Sequence, residues 1–359
     1  MKALILVGGY GTRLRPLTLS KPKPMVEFAN KAMVVRQIEE LKKSGVSIII
    51  LAVNYRSNVM EKFLKDYEKL LDVKIIVSEE NESLGTAGPL ALARDILQSD
   101  DEPFFVLNSD VVCNFPFDKL LQFHKSHGKE GTILVTKVPN PSAYGVIVSK
   151  SNGEIIQFVE KPSVYVSNRI NAGIYIFETS ILKRIELKPT SIEKEVFPFM
   201  AHDKELYCMD LDGFWMDIGQ PKDYLTGLAL YLDHLQKTAS KELSEGPNII
   251  DPVLIDPSAI IGQDCIIGPH VAIGANVLIE NGVRISRSCI LDGSTIKSYA
   301  WIHSSIIGWK SSVGKWCRVN NISVLGEDVT INDEFYINGA KILPHKTISE
   351  DIHEPKIIM

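Results

Sequence analysis

The sequence predicts an α/β chain: a Rossmann-like mixed sheet followed by a left-handed parallel β-helix of hexapeptide repeats. Three observations predict it. The first is a set of unalternating apolar runs at 3–7, 46–53, 73–77 and 104–107, separated by stretches of helical periodicity. Strands of a parallel sheet covered on both faces read this way. The second is a change after Gly131 to closely spaced strands with turn residues such as Ser151-Asn152-Gly153 between them. This pattern adds mostly antiparallel sheet to the parallel core. The third is a six-residue spacing of Ile255, Ile261, Ile267, Ile273, Ile279 and Ile285, which helical periodicity does not fit. The chain accordingly divides into a first domain at 1–236, a polar linker at 237–248 and a repeat domain at 249–359.

The first apolar run stops at Gly8 and Gly9. With Gly11 just behind, three residues without a Cβ let the backbone N–H groups of the loop approach a ligand. Arg13 and Lys23 add positive charge, and the combination suits an anion with several phosphates. A lone G-G-x-G reads equally as a surface turn with two solvated cations. The loop is not a Walker A loop, since no Gly-Lys-Ser/Thr follows. Its G-G-x-G-T-R spacing also differs from the dinucleotide fingerprint. Val34, Ile38 and Leu41 then keep helical spacing up to Ser44-Gly45. Val59, Phe63, Tyr67 and Leu70 mark the face of a second helix, and 87–97 reads as a third. The Gly-rich loop, Leu84-Gly85-Thr86 and Asn108-Ser109-Asp110 each read as following a strand directly. Ligands of parallel sheets sit beyond the carboxyl ends of the strands, so these segments are expected to converge.

Asp110 ends one apolar run, and Asp217 ends another, Phe214-Trp215-Met216. Such a carboxylate can cap the next turn. Two of them also suit Mg²⁺, which takes oxygen ligands and keeps waters or substrate phosphates as the rest. The Trp215 ring reads as packing behind Asp217. Strands at 132–138, 145–148, 155–159 and 170–177 form the later sheet. Glu160-Lys161-Pro162 ends one of them, where charged residues are often only a solvated pair. His124 and His127 stand i, i+3 on a helix without a third ligand, which favours packing over metal binding. A helix at 221–235 closes the first domain.

In the repeat domain, Val253, Ala259, Cys265, Val271, Val277 and Val283 keep the six-residue period two positions before the isoleucines. Each face of the prism uses one hexad, so about eighteen residues make a coil. One slip is expected between Ile302 and Ile307. The period then resumes through Val313, Val319, Leu325, Ile331 and Ile337. Trp309 and Trp316 fall beside turns, as candidate contact residues or as covers for the ladder. The apolar end Ile357-Ile358-Met359 is expected to dock on the solenoid or on a partner. Coil histidines also serve acyltransferases of this fold, and His270 and His303 make that a rival reading.

Composition narrows the function classes. Hydrophobic residues are 45%, charged residues 23%, and the formal net charge is −5, so neither nucleic acid nor an anionic membrane is indicated. No run of about eighteen apolar residues and no signal-peptide pattern is present. Cys113, Cys208, Cys265, Cys289 and Cys317 are scattered without a C-x-x-C, which fits reduced, buried thiols in a cytoplasmic protein.

GGYGTRLRPLT, KPKP, LGTAGPLALARD, FFVLNSD, FVEKP, NAGIYIF and GFWMDIGQPKDYL occur in that order. Together they resemble the signature of the sugar-nucleotide pyrophosphorylases, a nucleotidyltransferase family, over nearly the whole chain. The resemblance implies the reaction of an NTP with a sugar 1-phosphate to give an NDP-sugar and diphosphate. Within the family it points to the guanylyltransferases, and so to GTP, α-D-mannose 1-phosphate and GDP-mannose. ADP-, UDP- or dTDP-glucose chemistry is the alternative, as is a non-catalytic regulatory paralogue. By the resemblance, Leu6, Gly8, Gly9, Gly85 and Thr86 hold the nucleoside. Arg13 and Lys23 hold the departing phosphates, and Lys161 holds the sugar phosphate. Gly145, Glu160, Asn171 and Asp217 lie on the sugar side, and Asp110 and Asp217 hold Mg²⁺. A homo-oligomer formed through the C-terminal domain is expected, with a paralogous regulatory (alpha) subunit as a further partner. One departure is Asn30-Lys31-Ala32, where the family has Pro after the Lys.

Overall fold

The computed structural model describes residues 1–54 and 57–359. They pack as two compact units. One comprises Met1–Gly9 and Val34–Trp215, the other Tyr10–Met33 and Met216–Met359.

In the first unit, Lys2–Val7 lies between Ile48–Val53 and Phe104–Asn108, parallel to both. Lys74–Glu79 adds a further parallel strand beyond Ile48–Val53. Leu4, Ile50 and Val106 are fully buried in these strands, which is why their sequences do not alternate. Arg169–Phe177 joins the other side of Phe104–Asn108 in the antiparallel sense and also pairs with Gly131–Lys137. Gly145–Ser149 and Ile155–Glu160 form a hairpin at the margin. Leu206–Asp210 returns parallel to Gly131–Lys137. The result is the mixed sheet expected from the change in strand character.

Three local expectations are corrected. The helix Ser57–Leu71 buries Met60 and Leu64, whereas Val59 is 44% exposed and Leu70 is 75% exposed. Phe63 and Tyr67 are half-buried on its flank and pack on each other, with ring centroids 5.2 Å apart. The apolar stripe is therefore rotated from the one drawn through residue 59. The stretch 87–97 is two short helices, Gly88–Leu92 and Arg94–Leu97, broken at Ala93 (φ −90°, ψ 10°). Just past the break, the Arg94 guanidinium donates to the carbonyls of Leu182 and Ile185. Leu84-Gly85-Thr86 does not follow its strand directly. The chain first turns at Glu80, which is 7% exposed and whose carboxylate accepts from the Leu84 N–H at 2.9 Å.

The second unit contains three parallel sheets wound into a β-helix, together with residues 10–33 and the helix Pro221–Lys237. That helix, expected to close the first domain, buries Tyr224, Leu228 and Leu232 here. Inward aliphatics from Val253 to Ile348 form one continuous core. The ladder slips three times rather than once. Five-residue steps occur at Ile285 to Ile290, Ile302 to Ile307 and Ile337 to Ile342, and the rung partners there are 17 residues apart, as in Ile273↔Ile290. Val253↔Val271 and Val313↔Ile331 keep the full 18. Each short step lies where the chain leaves one particular sheet for the next, so a corner absorbs the missing residue and the inward phase survives. Ile357–Ile358 pairs in parallel with Lys341–Ile342, so the apolar terminus docks on the solenoid as a last rung. All five cysteines are buried free thiols. Among the described residues, no helix is long and apolar enough to cross a membrane.

Candidate active site

In the first unit, the strand ends bring backbone and small side chains to one edge. Leu6 is opposite Asn108, and the Leu6 carbonyl accepts from the Ser109 N–H at 3.2 Å. Gly8 and Gly9 are exposed, with nothing within 4 Å of a Cβ added at either. Gly9 has φ +83°, which disfavours any side chain there, and its N–H donates to the Asn54 Oδ1. Asp110 is half-buried just beyond Phe104–Asn108. The buried Gln37 amide braces that turn, donating to the carbonyls of Asn108 (2.9 Å) and Val111 (3.2 Å).

Gly85 and Thr86 are fixed from a distant segment. A Cβ at Gly85 would meet the Thr190 carbonyl oxygen, and φ is +72°. The Thr86 hydroxyl donates to the Glu193 Oε2 at 2.6 Å and accepts from the Ile192 N–H at 2.9 Å. On the antiparallel side, Gly145 lies directly opposite Glu160. A Cβ at Gly145 would stand 2.9 Å from the Glu160 Oε2, so the missing side chain keeps that carboxylate in place. The Lys161 ammonium lies 3.3 Å from the Glu160 Oε1 and is largely exposed. Asn171 donates to the Tyr175 hydroxyl (2.8 Å) and accepts from the Gly173 N–H (2.9 Å), so its amide orientation is set. The buried Trp215 indole donates to the Ala172 carbonyl, consistent with packing.

In the second unit, Arg13 and Asp217 converge on Gly219. A Cβ there would lie 3.0 Å from the Asp217 Oδ1 and 3.1 Å from the Arg13 Nη2. Gly11 (φ +61°) faces Thr18 and the Lys23 stem in the same way, and the Thr18 hydroxyl donates to the Gly11 carbonyl at 2.8 Å. Arg13, Lys23 and Asp217 thus belong to one packed unit, although nearly two hundred residues separate the loop from Asp217. The coil histidines are engaged elsewhere. The His270 Nε2 is 2.7 Å from the Asp233 Oδ1, and the His303 Nδ1 is 2.8 Å from the Ser286 Oγ.

Sequence reasoning missed Gln37, Asn54, Thr18, Glu80 and Glu193. Only Thr18 lies in a quoted motif, as the last residue of GGYGTRLRPLT; the other four lie outside all of them. A glutamine on the apolar face of a helix was the one available signal, for Gln37.

Two family models fit the chain. The nucleotidyl transferase model matches residues 2–234, and the GMPPB C-terminal domain model matches residues 249–358. The chain belongs to the nucleotidyl transferase family. This nucleotidyl transferase is 60% identical over 360 residues to mannose-1-phosphate guanylyltransferase catalytic subunit beta of Danio rerio. It is 63% identical over 360 residues to the protein of that name in Dictyostelium discoideum. Both matches span 100% of each chain. The crystal structure of HddC from Yersinia pseudotuberculosis superposes with a TM-score of 0.53 at 28% identity, covering 63% of this chain and 97% of the other.

Proposed function

We propose that this nucleotidyltransferase joins GTP to α-D-mannose 1-phosphate, giving GDP-mannose and diphosphate. The carrying observation is that two relatives named for that activity align end to end with this chain at 60% and 63% identity. A phosphate oxygen of the sugar phosphate attacks the α-phosphorus of GTP. The bond from that phosphorus to the β-phosphate bridging oxygen breaks, and diphosphate leaves. The attacking dianion is already a nucleophile, so no general base is needed, and catalysis is alignment with charge neutralisation.

Arg13 and Lys23 take the departing phosphates. Lys161 steers the attacking phosphate, and Glu160, Gly145 and Asn171 take the sugar. Leu6, Gly8, Gly9, Gly85 and Thr86 line the nucleoside. Asp110 and Asp217 offer hard carboxylate oxygens, the donor type Mg²⁺ prefers. When bound, Mg²⁺ supplies positive charge at the α-phosphate. The catalytic, linker and repeat segments at 1–236, 237–248 and 249–359, a cytoplasmic location, self-association through the β-helix and a paralogous regulatory subunit complete the reading.

The deciding experiment incubates the protein with each of GTP, ATP, UTP and dTTP against mannose 1-phosphate and glucose 1-phosphate, with Mg²⁺, and resolves the products. GDP-mannose as the dominant product is expected. Preferential use of another pair overturns the reading.

A further inference from the structure

Residues 20–30 form a strap across one edge of the β-helix. Their attachments fall on or just past four successive strands of a single sheet, Val271–Ile273, Cys289–Ile290, Ile306–Ile307 and Val324–Leu325. The Asn30 amide, in left-handed backbone (φ 62°), donates to the Ile273 carbonyl at 2.7 Å. The Glu27 carbonyl accepts from the Tyr224 hydroxyl, which also lies 3.3 Å from the Cys289 Sγ. The Trp309 indole N–H donates to the Glu27 Oε2 at 2.7 Å. Glu327, held below the ordinary carboxylate range chiefly by Lys310, also accepts from the Ser20 hydroxyl.

The centre of the strap is a closed triangle. The Lys21 ammonium is 2.6 Å from the Glu27 Oε1 and 4.3 Å from the centre of the Trp309 ring. Trp309 is 3% exposed. A charge-assisted pair shielded by an indole is far more rigid than a solvated one. Lys23 lies inside this stretch, two residues from Lys21, and its stem packs against the turn at Gly11 that precedes Arg13. The strap therefore fixes the backbone from which Lys23 projects and the loop that leads to Arg13.

Resting on the phosphate role of Arg13 and Lys23 proposed above, we infer that Trp309, Glu27 and Lys21 are positioning residues for nucleotide. Through them the β-helix holds the phosphate-binding segment in its binding geometry. Neither the motif residues nor the hexapeptide ladder requires this. Ile307 and Val313 would complete their rungs with any cover at Trp309, whereas the bond to Glu27 needs a donor at that point, which the indole N–H supplies.

The test uses the full chain with Trp309→Phe, which keeps an aromatic cover and deletes the donor, and Lys21→Met, which deletes the cation. Hydrogen exchange reads the strap directly. Peptides within 17–30 should exchange ~10-fold faster in W309F while peptides within 131–177 stay unchanged. Kinetics read the consequence. KM for GTP should rise by about 3- to 10-fold, with KM for mannose 1-phosphate held within about twofold. K21M should move both readouts the same way, and carries the test if W309F does not fold. An equal rise in both KM values overturns the inference, as does faster strap exchange without a GTP effect or a GTP effect without faster exchange. If the wild-type protein makes no GDP-mannose, the functional reading fails separately. The strap is then read from the GTP concentration that half-protects residues 8–26 from exchange, expected to be higher in W309F, and an unchanged concentration overturns it.

Discussion

A methyl group added at Gly219 would crowd both the Asp217 carboxylate and the Arg13 guanidinium, so shape and charge are both set at that point. They separate by substitution. Asp217→Asn keeps the shape and removes the charge, and Asp110→Asn does the same at the end of its strand. Each should leave the melting temperature unchanged and lower turnover about 100-fold or more if, as proposed, each supplies an anionic ligand to the metal. Steady-state assays at limiting Mg²⁺ check this, and near-wild-type activity in either variant removes that residue from the ligand set. The cations divide differently. Lys161 is largely exposed beside Glu160, so Lys161→Ala should raise KM for mannose 1-phosphate by about tenfold with little effect on KM for GTP. Arg13→Ala should do the reverse, and identical defects toward both substrates would count against the assignment.

The helix Phe117–His127 and the strand Gly131–Lys137 are joined by a buried relay whose direction can be worked out. The His127 Nδ1 accepts from the Lys129 N–H, so its Nε2 carries the proton and donates to the Thr132 Oγ at 2.8 Å. The Thr132 hydroxyl then donates to the His124 Nδ1 at 2.8 Å, leaving the His124 Nε2–H facing the Glu178 carboxylate at 3.2 Å. Both rings are neutral in this chain. Burial, with His127 and Lys125 as lesser contributors, lowers the His124 pKa to about 4, and burial with Lys129 does the same for His127. A depressed folded-state pKa gives stability that is complete above the unfolded value of 6.5 and is lost as pH falls toward 4. The melting temperature should therefore drop across that window, with His124 contributing on the order of 3 kcal/mol. His124→Asn should reduce the slope, leaving the His127 contribution, and an equal slope in the variant would exclude His124 as a source. Nothing in the sequence displayed this relay beyond two histidines on one helix, because Thr132 joins them only after the strand folds back. The hexapeptide ladder was legible because its period is written in side chains, yet two of its three short steps were missed, since each omits a residue without changing residue type. Gly8, Gly9, Gly11, Asp110 and Asp217 were legible as chain punctuation at strand ends. Glu193 was not, because its partner Thr86 lies 107 residues away. The rotated face of Ser57–Leu71 was misread because Phe63 and Tyr67 satisfy part of their apolar surface against each other.

At the scale of the whole molecule, the two tryptophans beside coil turns have separate fates. Trp309 is covered and bound to Glu27, so it is not available to a partner. Trp316 is 62% exposed, and its ring stacks on Tyr299, itself 51% exposed, with centroids 4.4 Å apart. Ile260 and Leu278 are paired outward on neighbouring rungs and are also exposed. Stacked exposed aromatics, and outward aliphatics on neighbouring rungs, are each the composition of an interface core rather than of a solvated flank. We therefore expect a homo-oligomer held by the β-helix. Deleting the β-helix would be a poor test, because residues 20–30 would lose the supports that hold them. Trp316→Glu is the cleaner probe, since it places a charge on the exposed ring position and leaves the inward ladder intact. Sedimentation velocity at micromolar concentration should show the wild-type protein as an oligomer and W316E shifted toward monomer, with an unchanged melting temperature. A monomeric wild-type protein defeats the expectation of self-association. An oligomeric W316E protein would instead move the interface away from the Tyr299–Trp316 stack, toward the Ile260–Leu278 rungs.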